Sequence, residues 1–509
     1  MTLTTVTVFC TASLLICVAR AGEWIYTDTP SPRITHADTG WTLGVTADGT
    51  DITITHVLVR PPAPAVRPPD DNAYSITTHS VSENGFKSSV TRTFGRPAAP
   101  VALPLDDVIA DSYRITALGR CSLNGCGDLV DVAIPGTVTN IDDSALGNNN
   151  ALTNIFVAAD CPAYRSIGGA LFSKDGSRLI RCPAGKTATY AIPAGVTHIG
   201  DGAFFSCDKL AGVTIPASVT HIGNRTFNSC QYLQSVTIPA SVTHIGDGAF
   251  ASCNHMTNIV VDKANAAYRD IDGVLFSKDK KRLIQFPAGK REPYDIPTGV
   301  THINARAFYD CGNISRVTIP ASVIHIGRFA FYRRNGPPDN IVVAAGNPAY
   351  RSDGGVLFSK DGRQLVLCFE KKTGAYSIPA GVKDISDCAF IACHGLTGVT
   401  IPAGVTRIGD GAFFDCKGLT ALTIPASVTE IYNSAFSCCD RLRDVTFDGE
   451  CPVFPGKDDG YLFSRSSTNV IVRIHAAHTA NWAARVTGSL DAETAMWQGR
   501  PVRVLSATE

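Results

Sequence analysis

An excess of charge of one sign is missing from this sequence. Its 509 residues carry 45 Lys+Arg against 45 Asp+Glu, only 18% of the chain, so there is no basic footprint for nucleic acid or an anionic membrane surface. Long hydrophobic runs are missing too. None reaches the ~20 residues a membrane-spanning helix needs, so no integral membrane span is expected. The short signatures of catalytic and metal sites are also absent: no HExxH, no P-loop, no G-x-S-x-G, no dinucleotide-binding glycine fingerprint and no CxxC. Acid pairs such as Asp106-Asp107, Asp142-Asp143 and Asp458-Asp459 lie in loop-like sequence, where solvation accounts for them. Nothing converges on a site, so the expectation is a non-enzymatic protein with no cofactor and no metal.

What is present is a hydrophobic content of 44%, ample for a core. At ~100–200 residues per domain, the length suits several domains or one elongated repeat array. The 17 cysteines are too sparse for a small disulfide scaffold. The stretch Val6 to Ala19 is apolar and has the length of a signal-peptide core, and Ala19-Arg20-Ala21 follows as a small-x-small cleavage pattern. Residues 1–21 therefore read as a signal peptide, although no Lys or Arg precedes the apolar run. A buried strand is the structural alternative. Export would place the chain in a compartment that permits disulfides.

Self-similarity organises the rest. The dipeptide Ile-Pro begins at Ile134, Ile192, Ile215, Ile238, Ile296, Ile319, Ile378, Ile401 and Ile424, at spacings of 23 or 58–59 residues. The longer spacing is one 23-residue unit plus an insert of about 35 residues. Three inserts repeat the pattern Tyr164-Arg-Ser…Leu-Phe-Ser-Lys-Asp, Tyr268-Arg-Asp…Leu-Phe-Ser-Lys-Asp and Tyr350-Arg-Ser…Leu-Phe-Ser-Lys-Asp. In one unit, Val213 and Ile215 alternate with Thr214 as in a half-buried strand. Pro216 ends the strand. Val219 and Ile222 return the chain to the interior, and Gly223 suits a sharp turn. Phe227, Cys230 and Leu233 follow three residues apart, the spacing of a short helical stretch. Such a unit buries its apolar side only when stacked on its neighbours. The expected fold is a right-handed repeat solenoid with a parallel β ladder on one sheet face and short helical turns. Each insert reads as a hairpin across Lys-Asp-Gly-Ser plus an extra coil, with Lys280 replacing the turn glycine in the middle copy.

The motif Ile192-Pro193…Val196-x-x-Ile199-Gly200…Ala203-Phe204-x-x-Cys207-x-x-Leu210 recurs around Phe227/Cys230, Phe250/Cys253, Phe308/Cys311, Phe390/Cys393, Phe413/Cys416 and Phe436/Cys439. With it the chain resembles the bacterial BspA-type (treponemal class) leucine-rich repeat family over residues 111–447. Departures are mild: Leu118 and Leu123 replace Ile and Phe in the first coil, and the coil at Phe331 has Arg334 in the cysteine position. The resemblance implies a secreted or surface-displayed binding module of adhesive character and no catalytic residues.

On either side of this solenoid the period stops. Residues 22–110 read as a β-rich cap, with a hairpin around Asp48-Gly49 and a stiff Pro-rich loop from Pro61 to Pro69. Residues 448–509 read as a second cap: a strand at Asn469–Ile474, a short helix from His478 to Val486, and a last strand from Pro501. Trp482 and Trp497 would cover the apolar end of the solenoid, or else offer a carbohydrate platform.

Two columns remain to be weighed. Eight cysteines (Cys126, Cys207, Cys230, Cys253, Cys311, Cys393, Cys416 and Cys439) share one repeat position and read as a packing ladder of small buried hydrophobes. Cys121 and Cys388 fill a turn position that is Gly202 or Gly248 elsewhere. His198, His221, His244, His302 and His325 form another column. Successive imidazoles one strand apart could share a metal or repel one another when protonated. The same column holds Asn140, Asp384, Arg407 and Glu430, as an exposed, tolerant position does. These histidines form a candidate ligand-facing ladder, and Thr214, Thr237, Thr318, Thr400 and Thr423, between inward strand residues, make a polar outer stripe that could contact a ligand surface. The functional expectation is an exported scaffold that binds a protein or glycan on a cell or matrix surface. A passive envelope or matrix component, and a secreted hydrolase with its site in a flank, are the competing readings.

Overall fold

The computed structural model describes the backbone of strands within residues 24–104. It then describes residues 114–312, 314–333, 340–368, 372–455, 462–467, 469–488, 490, 495–497 and 500–505. The expected signal peptide and the Pro-rich loop lie outside the described residues. The chain divides into two compact units: Met1–Cys253 with Asp262–Asn265, and Asn254–Val261 with Ala266–Glu509. The described chain is a parallel β-solenoid with almost no helix.

In the first unit, one ladder pairs Ala188–Ala191 in parallel with Leu210–Thr214. Pro216 then turns the chain, its carbonyl accepting the Val219 N–H. The extended return is itself a second ladder of two-residue strands, so the coil has two sheet faces where one was expected. Arg178, His198, His221 and His244 stack in register along it.

The expected helical stretch is instead a tight turn. Arg225 and Ser229 have φ of 50° and 63°, and the same two positions are left-handed at Gly202/Ser206 and Gly248/Ser252. A right-handed helix cannot absorb such residues. Its N–H groups are committed elsewhere: those of Arg225, Phe227 and Ser229 donate to the carbonyls of Asp247, Ala249 and Ala251 in the next coil. Only Thr479–Ala483 is α-helical among the described residues.

Amino-terminal to these coils, Trp24–Thr27, Arg33–His36, Thr42–Asp48 and Asp51–Val59 form an antiparallel meander. The last of them pairs in parallel with Arg114–Leu118, the first rung of the second ladder. A separate hairpin joins Tyr74–Val81 to Lys87–Phe94.

The second unit repeats the plan. Arg282, His302 and His325 are in register on one sheet, and Gln364, Asp384, Arg407 and Glu430 on another. The first ladder runs from Gly374–Ser377 through Leu396–Thr400, Ala421–Ile424 and Asp444–Phe447. It continues without a break into Ile471–His475 and Arg500–Leu505, which add two more parallel rungs. Trp482 and Trp497 are buried against Phe447 in the core, not displayed as a sugar platform.

Phenylalanine stacks hold successive coils together. Ring centroids lie 4.8 Å apart for Phe204–Phe227 and 5.4 Å for Phe227–Phe250 in the first unit. They lie 5.0 Å apart for Phe390–Phe413 and 5.8 Å for Phe413–Phe436 in the second. Removing one such fully buried ring costs about 3–5 kcal/mol.

Each insert is a run of three antiparallel strands. In the first, Tyr164–Ile167 pairs with Ala170–Ser173, which pairs with Arg178–Arg181. The expected Lys-Asp-Gly turn joins the last two strands. The other hairpin was not foreseen in the sequence, although its signal is there: Gly168-Gly169, Asp272-Gly273 and Gly354-Gly355 all have positive φ at both residues, as a two-residue type I′ turn requires. The third strand is the first rung of the next second-ladder sheet, so the extra coil is real but shortened.

Candidate functional site

The histidine column faces outward on the second ladder. Its backbone is fixed by parallel pairing, with His221 N–H and Thr220 N–H both donating to Thr197 O. The His198 and His221 rings stack with centroids 4.4 Å apart, and those of His221 and His244 are 5.6 Å apart. In the second unit His302 and His325 are 5.5 Å apart. His198, His221 and His302 are half-buried, while His244 and His325 are exposed.

Threonine hydroxyls orient three of these rings. Thr197, Thr220 and Thr301 Oγ1 lie 2.8–2.9 Å from Nδ1 of the following histidine. Each hydroxyl is also 3.1–3.3 Å from a carbonyl, of Ser177, Thr197 and Lys281 respectively. The threonine thus ties each ring to the backbone of the neighbouring rung and leaves Nε2 on the outward side, and the ring's tautomer follows from which of the two contacts takes the hydroxyl hydrogen. Desolvation pushes His221 below its ordinary pKa, with the flanking His198 and His244 adding repulsion in the charged form. No group of three or more His, Cys, Asp or Glu is arranged to hold a metal among the described residues.

The column changes character from one sheet to the next. In the second unit Arg407 bridges Asp384 at 3.0 Å and Asp387 at 3.1 Å, and its guanidinium lies 4.5 Å from the centroid of Tyr432. The repeat thus presents one scaffold with interchangeable outward chemistry: imidazoles on some rungs, paired charges on others.

The cysteine column points the other way. Among the described residues the fifteen cysteines are in no disulfide, and the eight of the column are buried. Six of them reach a carbonyl of the preceding coil: Cys230 Sγ to Phe204 O at 3.1 Å, Cys253 to Phe227 at 3.0 Å, Cys416 to Phe390 at 3.0 Å and Cys439 to Phe413 at 3.2 Å, with Cys207 to Cys182 and Cys311 to Phe286 longer at 3.7 Å. That inter-coil contact went unread in the sequence, which showed only an apolar position. Burial pushes the thiols of Cys253 and Cys439 up to about 12, out of the reactive range. Outside the column, Cys182 and Cys368 are buried where the middle insert has Phe286. Cys121 and Cys388 do occupy the left-handed turn position, each at φ 55°. Cys388 is buried and its thiol pKa is raised; Cys121 is exposed.

A family model agrees with this architecture. The model of the BspA type leucine rich repeat region matches six copies, over residues 105–189, 183–292, 285–336 and 368–457. Among solved structures, a leucine rich cell surface protein from Faecalibacterium prausnitzii is 22% identical, covering 82% of this chain and 99% of its own, with a TM-score of 0.33. The pneumococcal vaccine antigen PcpA is 16% identical over 93% of this chain and 98% of its own, with a TM-score of 0.36. A leucine-rich repeat protein from Eubacterium ventriosum is 20% identical over 71% and 94%, with a TM-score of 0.34. No curated protein sequence matches. The family match spans more than half of the sequence, on the same coils that build the two ladders: the chain belongs to the BspA-type leucine-rich repeat family.

Proposed function

We propose that this protein is an exported, non-catalytic scaffold that binds a protein or glycan on a cell or matrix surface through the outward face of its second ladder. The observation that carries this reading is the ordered display on that face. His198, His221 and His244 stand in register, and Thr197 and Thr220 hold the first two rings by Nδ1. A ligand meeting such a face loses little free energy to side-chain ordering. Repeat scaffolds gain affinity in the same way, by summing small contacts along an extended surface.

Export is proposed from the apolar Val6–Ala19 stretch and the small-x-small pattern after it. No helix among the described residues is long and apolar enough to cross a membrane. The test is binding of the purified chain to protein and glycan arrays at micromolar concentration. Saturable binding to a defined protein or glycan is the expected result. Silence on both arrays contradicts the reading.

A further inference from the structure

The three inserts end on the strands Arg178–Arg181, Arg282–Gln285 and Gln364–Cys368. None is followed by the Phe-x-x-Cys turn of a regular coil, so each leaves a space on that side. In the first insert Arg181 fills it. That side chain is 4% exposed, with one guanidinium nitrogen 2.6 Å from Gly202 O and the other 2.7 Å from Asp143 O. In the second insert Gln285, 1% exposed, directs its Nε2 to Phe286 O at 3.2 Å and Ala307 O at 3.1 Å. In the third insert the same position is Leu367, whose side chain has no N–H to give. There a cleft of about 300 Å³ opens, lined by Leu367, Val366, Phe329, Ser386 and Cys388 with Arg328 beside them. That is the lower end of the range for small-ligand pockets.

We propose that this cleft takes the side-chain carboxamide of a glutamine or asparagine from a partner polypeptide; the proposal rests on the reading of the chain as a binding scaffold. Arg328 and Cys388 stand at the sequence positions of Asp143 and Gly202, whose carbonyls Arg181 engages in the first insert. Each of their carbonyls accepts one backbone bond, from Arg306 N and Ile391 N, and a carbonyl has a second lone pair. Ser386 Oγ is buried in the cleft with no hydrogen-bond partner. An amide supplies two N–H donors for the carbonyls and an oxygen for that hydroxyl.

Charge decides between an amide and a guanidinium. The Asp143 position is Arg328 here, held by Asp387 and, at 2.7 Å, by Asp410. Arg407 lies on the other oxygen of Asp387. An entering guanidinium meets two arginines, and the three carboxylates beside them, Asp384, Asp387 and Asp410, are each already engaged by at least one of those arginines. A neutral carboxamide avoids that repulsion, and Gln285 fills the equivalent space in the second insert with that same group.

Ligand-observed NMR on the full chain tests this, with N-acetyl-glutamine-N-methylamide as probe and the blocked arginine and blocked leucine analogues as rivals. The glutamine probe should bind about tenfold tighter than either, the size of one or two net hydrogen bonds. Leu367→Gln, which installs the second insert's residue, should abolish that binding. Ser386→Ala removes a hydroxyl with no partner, so the fold stays intact and the affinity falls several-fold. Equal binding of the three probes, preference for arginine, or binding that survives both Leu367→Gln and Ser386→Ala overturns the proposal. A failed amide titration beside a positive array removes the cleft alone, whereas a working titration beside silent arrays removes the ladder face.

Discussion

Two tyrosine hydroxyls do the work of a missing β rung. Where an insert interrupts the second ladder, Ile141 N–H donates to Tyr164 Oη and Ile326 N–H to Tyr350 Oη, each at 3.0 Å. That accounts for the tyrosine that opens the first and third inserts. Tyr350→Phe leaves the Ile326 N–H without its acceptor and should cost about 1–3 kcal/mol, read as a drop in the midpoint of a urea titration; an unchanged midpoint contradicts this role. His221 is a second residue with a measurable signature. Its folded pKa lies below the unfolded value of ~6.5, so the folded state favours the neutral ring. Its contribution to stability is complete above pH 6.5 and is lost as pH falls through the folded value. An NMR titration should place its midpoint below 6.5, and replacing His198 and His244 by Asn should move that midpoint upward. Thiols give a third test: a maleimide on the native chain should label Cys121 first and spare the eight column cysteines until the protein unfolds.

At the scale of elements, the turns distinguish what the pattern revealed from what it concealed. In the insert hairpin, Ser173 Oγ donates to Asp175 Oδ1 at 2.6 Å and the Ser177 N–H donates to the same oxygen. These bonds hold the exposed Asp175 carboxyl down to about 2. The following residue is left-handed in all three inserts: Gly176, Lys280 and Gly362 at φ 76°, 62° and 73°. Lys280 carries the steric cost that glycine avoids, so Lys280→Gly should stabilise the second unit by about 1 kcal/mol, seen as a raised Tm. Strands and hairpins were legible because alternation and Lys-Asp-Gly are local signals. The Phe227, Cys230, Leu233 spacing misled, because the left-handed Ser229 and the inter-coil bonds of the turn leave no trace in hydrophobic period. The outward histidines were legible as a column, but the Thr–His bonds that orient them depend on χ angles that no spacing encodes. The cleft at Leu367 shows only when three inserts are superposed on the coils around them.

Across the whole molecule, the repeat separates structure from recognition. Phe, Cys and the Ile or Leu of each second-ladder rung point inward and vary little. The residue before that Ile points outward and varies from imidazole to carboxylate to guanidinium. The inserts divide the second ladder into sheets, each of which carries its own outward chemistry. The central claim is that the outward column, and not the buried ones, makes the ligand contact. Its most direct measurement is the affinity of the array-identified ligand for the wild-type chain and for the variant carrying His198→Asn, His221→Asn and His244→Asn together, asparagine being the residue that Asn140 already places in this column. The account predicts at least about a tenfold loss of affinity, roughly 1.4 kcal/mol, with an unchanged Tm. Full affinity in the variant would contradict it.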